Sequence, residues 1–165
     1  MTNQKVEPKI LIVDYDKSIL ESLRKALELE GYVVDTAESG REAIDKSKAL
    51  DYNLALVDVR LPDMQGTELL TAMRDTIPRM RKIIVTGYPS LQNAVAAINK
   101  SVDAYLIKPV NMNDLLGTIK TQLKKQFEEL EYGDKQSWFC YYCGKSNFPE
   151  RTTCWKCGHR RRGSG

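Results

Sequence analysis

The sequence predicts an α/β fold, a five-stranded parallel sheet wound by helices on both faces, followed by a small C-terminal cysteine module. Three observations carry this. The apolar runs at 10–13, 54–57, 83–85 and 104–107 are too short for helices and rich in β-branched residues, so they read as buried strands. Stretches with helical spacing separate them, and strands that alternate with helices run parallel. Each run is followed at once by a polar residue: Asp14, Asp58, Thr86 and Lys108.

Taken in order, residues 9–13 form the first strand and 17–30 a helix, which Gly31 ends because glycine tolerates the left-handed backbone. Residues 32–36 form the second strand. A helix over 40–49 follows, with Ser39 as its cap. The third strand covers 53–57, a loop 61–66, and a helix 67–75. The fourth strand covers 82–86, a helix 91–100, and the fifth strand 104–107. A last helix starts near Asn111 and continues to about Tyr132, with Met112, Leu115, Leu116, Ile119, Leu123, Phe127 and Leu130 at helical spacing. Its first half is expected to pack on the sheet. For the stripe Leu123, Phe127 and Leu130 two readings stay open, an ordinary helix face or a short seam of a homodimer.

A chain of 165 residues with a net charge of +3 allows one ordinary domain and a small appendage. The charge is uneven. From Gln136 onward, Lys145, Arg151, Lys156, Arg160, Arg161 and Arg162 face one acid, Glu150, and the remainder is slightly acidic. A basic module behind a near-neutral domain favours an anionic partner at the C-terminus. No apolar run approaches the roughly 20 residues of a membrane span, and residues 1–9 are polar. A soluble, cytoplasmic protein is therefore expected, with no membrane partner. The expected boundaries are 1–125 for the α/β domain, 126–136 for a helical linker and 137–165 for the cysteine module with its basic tail.

On parallel strands the four polar residues lie along one edge of the sheet, where open α/β folds bind ligands. Two carboxylates, a hydroxyl and an amine suit Mg²⁺-assisted phosphoryl chemistry, since Mg²⁺ takes hard oxygens and an ammonium takes phosphoryl oxygens. Singly, an acid after a strand is usually a turn or cap residue and Lys-Pro a strand exit. Four such residues at four strand ends single out a site.

This order of motifs resembles the receiver domain of two-component response regulators, over roughly residues 7–125. Asp58-Val-Arg-Leu-Pro-Asp-Met-Gln-Gly66 resembles the family's phosphoacceptor and the loop after it, and Thr86-Gly87 and Lys108-Pro109 fall where that family places them. The resemblance implies a doubly wound, flavodoxin-like fold and a signalling switch rather than an enzyme. It implies that Asp58 accepts a phosphoryl group from a sensor histidine kinase or phosphotransfer protein. Lys108 then pairs with the phosphoryl oxygens, Thr86 donates a hydrogen bond to one of them, and Tyr105 is the switch aromatic that turns when Thr86 shifts. Asp14, Asp58 and the backbone carbonyl of Arg60 are implied as Mg²⁺ ligands.

One position departs from the family. Two adjacent acids usually follow the first strand, and here the sequence is Asp14-Tyr15-Asp16. A phenol is neutral at pH 7, so weaker Mg²⁺ binding is expected, with Asp16 reaching the ion if the loop bends. Two other readings stay open. One is a receiver scaffold that takes no phosphoryl group and carries a constitutively binding C-terminal module. The other is a haloacid-dehalogenase-type phosphatase, whose Asp-x-Asp motif Asp14 and Asp16 resemble. That reading lacks an acidic cluster after Lys108 and leaves the Asp58 loop without a role.

The pairs Cys140-Tyr-Tyr-Cys143 and Cys154-Trp-Lys-Cys157 stand ten residues apart. Two Cys-x-x-Cys knuckles complete a tetrahedral thiolate site for Zn²⁺, and so small a segment needs the metal to fold. His159 follows a complete ligand set and is not expected to be a ligand. With Trp138 and Asn147 at their spacings, the module resembles the Ran-binding-protein-type zinc finger. The resemblance implies either single-stranded RNA or a protein as target. Phe148, Arg151 and Lys145 are the candidate RNA-facing residues, an aromatic beside cations being a stacking platform with phosphate contacts. A purely structural knuckle is the third reading.

Overall fold

The computed structural model describes residues 7–74, 80–90, 102–132, 138–139, 143, 146–147, 153–154 and 156–160. The chain divides into two compact units, Met1–Leu123 and Lys124–Gly165.

The first unit is built on strands β1 (Lys9–Val13), β2 (Val33–Ala37), β3 (Leu54–Val57), β4 (Arg81–Thr86) and β5 (Ala104–Ile107). All neighbouring pairs are parallel, in the order β2-β1-β3-β4-β5. Helices α1 (Lys17–Leu29), α2 (Gly40–Ala49) and α3 (Gly66–Arg74) lie between strands, and α4 (Met112–Tyr132) follows β5. The expected helix over 91–100 lies outside the described residues.

Side chains of the central strands alternate between two cores, because successive residues of a strand point to opposite faces. Leu11, Val13, Ala55, Val57 and Ile84 enter one core with Ala43 of α2 and Leu69, Leu70 and Met73 of α3. Ile10, Ile12, Leu54, Leu56, Ile83 and Val85 enter the other with Leu20 and Leu27 of α1 and Leu115, Ile119 and Leu123 of α4. Burial on both faces is why these strands read as unbroken apolar runs.

The other expected elements form, with differences of a residue or so. β2 starts at Val33 because Gly31, at φ 91°, turns the chain and Tyr32 N–H bonds Leu27 O (3.2 Å), which leaves Val33 to pair with Lys9. The expected burial of β5 is corrected. It is the edge strand, with β4 as its one neighbour, and Ile107 is 54% exposed. In the Leu123–Leu130 stripe, Leu123 joins the core and Phe127 is exposed.

In the second unit, β6 (Trp138–Phe139) and β7 (Ser146–Asn147) pair antiparallel. An isolated bridge joins Thr153 and Arg160. No described helix is long and apolar enough to cross a membrane.

Candidate functional site

The strand order reverses at β1, which pairs with β2 on one side and β3 on the other. Crevices at such a point receive ligands. Register puts Val13 beside Val57, and Asp58 N–H bonds Val13 O at 2.9 Å, so Asp14 and Asp58 emerge side by side. Thr86 ends β4, and its carbonyl accepts from Lys108 N–H at 2.8 Å. The Lys108–Pro109 peptide bond is cis.

Asp14 and Asp58 are each 3% exposed. Each uses one carboxylate oxygen on its own loop. Asp14 Oδ1 accepts from Asp16 N–H (2.9 Å) and Asp58 Oδ1 from Arg60 N–H (3.2 Å), the short-range turn that Asp favours. Their other oxygens meet on one cation. Lys108 Nζ lies 2.6 Å from Asp14 Oδ2 and 2.9 Å from Asp58 Oδ2. Burial raises the Asp14 carboxyl above its ordinary range, against the hydrogen bonds from Lys108 and Asp16 N–H that lower it. Burial also opposes the Lys108 ammonium, yet its bonds to Asp14 and Asp58 hold it above the usual lysine value. Two buried carboxylates around one ammonium leave a net negative site.

A cavity of about 280 Å³ opens here, lined by Asp14, Asp58 and Lys108 with Tyr15, Ile19, Gly87 and Tyr88. Its donor set fits a hard divalent cation, which takes carboxylate oxygens and is drawn to net negative charge.

Two expected site residues stand elsewhere. Asp16 does not line the cavity. It is the N-cap of α1, with Oδ1 accepting from Ser18 N–H (2.9 Å) and Ile19 N–H (3.3 Å). A carboxylate one residue after a strand-end turn caps the helix that starts there. Thr86 is fully buried and does not line the cavity; its Oγ1 accepts from Tyr88 N–H at 3.1 Å, which leaves its own hydroxyl proton to donate. Three strand ends thus satisfy the amide two residues on in the same way. Tyr105 is half-buried against the core, and its hydroxyl has no hydrogen-bond partner among the described residues.

Sequence reasoning missed four contributors. Gly66 N–H bonds Val59 O (2.7 Å), and a Cβ on Gly66 would collide with the carbonyl of Asp58. Asp63 clamps the loop to α2, its two oxygens accepting from Gly40 and Arg41 N–H at 2.8 Å each. The Arg60 guanidinium lies 3.8 Å from the ring centre of Tyr88. Tyr88 lines the cavity beside Tyr15, and its electrostatic effect is the first cause raising the Tyr15 phenol above its ordinary value. The one sequence signal for these contacts was Tyr88 two residues after Thr86.

Residues 10–120 match the profile of the response regulator receiver domain. The chain belongs to the receiver-domain family. Response regulator MprA of Mycolicibacterium vanbaalenii is 32% identical over 117 residues, 71% of this chain and 51% of that protein. A CheY-like receiver domain protein from Methanospirillum hungatei is 49% identical, with a TM-score of 0.73, over 74% of this chain and 98% of its own. A response regulator from Burkholderia pseudomallei, solved with a phosphorylated aspartic acid and a calcium ion, is 27% identical with a TM-score of 0.66, over 80% of this chain and 78% of its own. The receiver spans about half the length of the curated relative. Receivers are generally signal receivers rather than enzymes, and they typically bind Mg²⁺ and meet histidine kinases or phosphotransfer proteins. The match includes the Asp58 loop and ends before the cysteines.

In the second unit, the Sγ atoms of Cys143, Cys154 and Cys157 lie within 4.8 Å of one another. Cys143 and Cys154 Sγ are 3.5 Å apart, too far for a disulfide bond and near the separation of thiolates sharing one Zn²⁺. Gly158, at φ 73°, lets its N–H turn back to Cys154 O (2.9 Å), and Cys154 N–H bonds His159 O (2.8 Å). His159 Nδ1 lies 3.3 Å from Cys157 Sγ. Three thiols this close, two of them on this turn, fit a zinc knuckle. Cys140, Lys145, Phe148 and Arg151 lie outside the described residues. Arg160 is exposed.

Proposed function

We propose that the protein is a phosphorylation switch in which Asp58 accepts a phosphoryl group from a phosphohistidine on a sensor kinase or phosphotransfer protein. The observation that carries this reading is the Lys108 ammonium, held between the buried Asp14 and Asp58 carboxylates at the point where the strand order reverses. Asp58 Oδ forms the new P–O bond as the histidine N–P bond breaks, and the imidazole leaves with the electron pair and takes up a proton. Lys108 exchanges a carboxylate partner for a phosphoryl oxygen, which stabilises the charge that builds there. Asp14, Asp58 and the Arg60 carbonyl would hold Mg²⁺, whose role is to neutralise the phosphoryl oxygens. The Burkholderia relative, with its phosphorylated aspartic acid beside a cation, supports the same chemistry.

Thr86, whose Oγ1 accepts the Tyr88 N–H, then donates its own hydroxyl proton to a phosphoryl oxygen. Tyr105, whose buried hydroxyl has no partner among the described residues, repacks in response, and the surface around it changes. The output lies in residues 137–165. There Cys140, Cys143, Cys154 and Cys157 hold Zn²⁺ and the basic tail takes single-stranded RNA, with Phe148, Arg151 and Lys145 at the contact. A salt-sensitive affinity for single-stranded RNA supports this target, and binding that ignores salt points to a protein instead. The receiver occupies 1–125 and a helical linker 126–136, in a cytoplasmic protein.

One observation favours a second reading, a receiver scaffold that takes no phosphoryl group. Tyr15 stands where an acid would contact the metal, and the Asp16 carboxylate is committed to α1. Intact mass after incubation with acetyl phosphate, with and without Mg²⁺, separates the two. The switch requires a Mg²⁺-dependent gain of one phosphoryl mass that Asp58→Asn abolishes. An unchanged mass in folded protein establishes the scaffold.

A further inference from the structure

The chain has one histidine, His159, and the proposed switch gives it no part. Its place is fixed by a tight turn. The His159 carbonyl accepts from Cys154 N–H at 2.8 Å. Gly158, just before it, takes the left-handed φ of 73° that lets its own N–H return to Cys154 O at 2.9 Å. Arg160, just after it, bridges to Thr153. The backbone held in this way sets the imidazole against the Cys157 sulfur, with Nδ1 3.3 Å from Sγ. This position is beside the metal ligands rather than among them. The Sγ atoms of Cys143, Cys154 and Cys157 form a group within 4.8 Å, and the His159 nitrogens stand outside it. Among the described cysteines Cys157 is the exposed one, whereas Cys154 is buried and Cys143 half-buried.

We propose that His159 is a positioning residue of the zinc site, donating its Nδ1–H to the Cys157 thiolate and so holding the exposed sulfur on the metal. The inference rests on the zinc reading above. A thiolate that ligates a metal carries no proton and can only accept. The proton of the contact therefore belongs to the imidazole, and the bond fixes its tautomer as Nδ1–H. Thiolates gathered on one divalent cation leave net negative charge, and a hydrogen bond to a charged group is among the stronger kind. Burial shields the Cys154 sulfur from water and from electrophiles. Cys157 lacks that cover, and the His159 N–H occupies the sulfur in its place. One turn thus supplies two of the thiols and the donor that secures the more vulnerable of them.

Native mass spectrometry of the full-length wild-type chain comes first, and a chain that holds no zinc overturns the zinc reading and this inference with it. In the zinc-loaded wild type, long-range proton–nitrogen spectra of isotopically labelled protein at mildly alkaline pH are expected to show His159 as the Nδ1–H tautomer, which an unconstrained imidazole disfavours. An Nε2–H tautomer overturns the donor role, whatever the variants do. His159→Phe keeps a ring and removes the donor. It is expected to lower zinc affinity about tenfold in competition with a chromophoric chelator, as loss of a partner to a metal ligand does. It is also expected to speed alkylation of Cys157 by iodoacetamide severalfold over that of Cys143 and Cys154. His159→Asn, whose amide reaches the Nδ1 position, is expected to restore most of both, a rescue that a merely structural histidine would not give. Wild-type affinity and alkylation in His159→Phe overturn the proposal. With Co²⁺ in place of Zn²⁺, the absorption bands are expected to be the same in wild type and His159→Phe. A shift between them would make His159 a ligand and overturn its place beside the site.

Discussion

Lys108 is the residue on which the site's electrostatics turn. Replacing it by Met keeps the volume but leaves Asp14 and Asp58 buried side by side with no ammonium between them. Removing one member of a buried ion pair is costly, and a loss of about 2–4 kcal/mol at pH 7 is expected, since only 22% of the Lys108 side chain reaches solvent. The sign of the pH dependence follows from Asp14. A carboxyl whose folded value lies above its ordinary 3.8 binds its proton more tightly in the folded state, so stability falls as pH rises through that window. Without Lys108 the window extends upward. Urea unfolding of Lys108→Met is therefore expected to approach wild type as pH drops from 7 toward 4, and a deficit independent of pH would point to packing instead. At this scale the sequence was largely legible. Asp14, Asp58 and Lys108 were readable from their places after apolar runs and do converge. The local contacts of Thr86 and Asp16 were not legible, because short polar side chains satisfy the nearest open amide, and which amide is open depends on local backbone geometry.

Elements fix these groups through loops, and the loop from Asp58 to Gly66 is held most tightly. Gly66→Ala sets a methyl against the Asp58 carbonyl, and backbone cannot yield as a side-chain tip does. A loss of about 3 kcal/mol is expected by chemical denaturation. Gly117 is the contrast. It lies inside α4 with nothing within 4 Å of its added Cβ, so Gly117→Ala is expected to stabilise by about 1 kcal/mol through helix propensity. Asp63 predicts an acid limb. Hydrogen bonds from Arg41 and Gly40 N–H hold its carboxyl below its ordinary 3.8. Its contribution is complete above 3.8 and is lost as pH falls through the lower folded value. Asp63→Asn should flatten the fall in melting temperature below pH 4, and an unaltered acid limb would remove Asp63 as its cause. Strands and helices were visible from periodicity and β-branched runs. The Asp63 clamp was not, because it joins residues more than twenty positions apart and neither end differs from an ordinary turn or cap.

At the scale of the whole molecule, the receiver folds on its two apolar cores, while the described residues of the cysteine unit add only Cys154 with Cys143 packed on it, so that unit is expected to depend on metal. A chelator such as 1,10-phenanthroline is expected to abolish the amide protection of residues 153–160 and leave that of β1, β3 and β4 intact. Simultaneous loss in both would mean that the receiver also depends on the metal. The clustering of Cys143, Cys154 and Cys157 was legible because ligand spacing is local. The partner was not, since an aromatic beside cations serves RNA and protein alike.

The proposed switch stands or falls with Asp58 as its phosphoacceptor, despite Tyr15. The most direct measurement is peptide mapping of the labelled residue after the zinc-loaded protein meets a phosphodonor with Mg²⁺. A single label on Asp58 is expected, absent without Mg²⁺ and absent in Asp58→Asn. A label on Asp14, or folded protein that carries none, would contradict it.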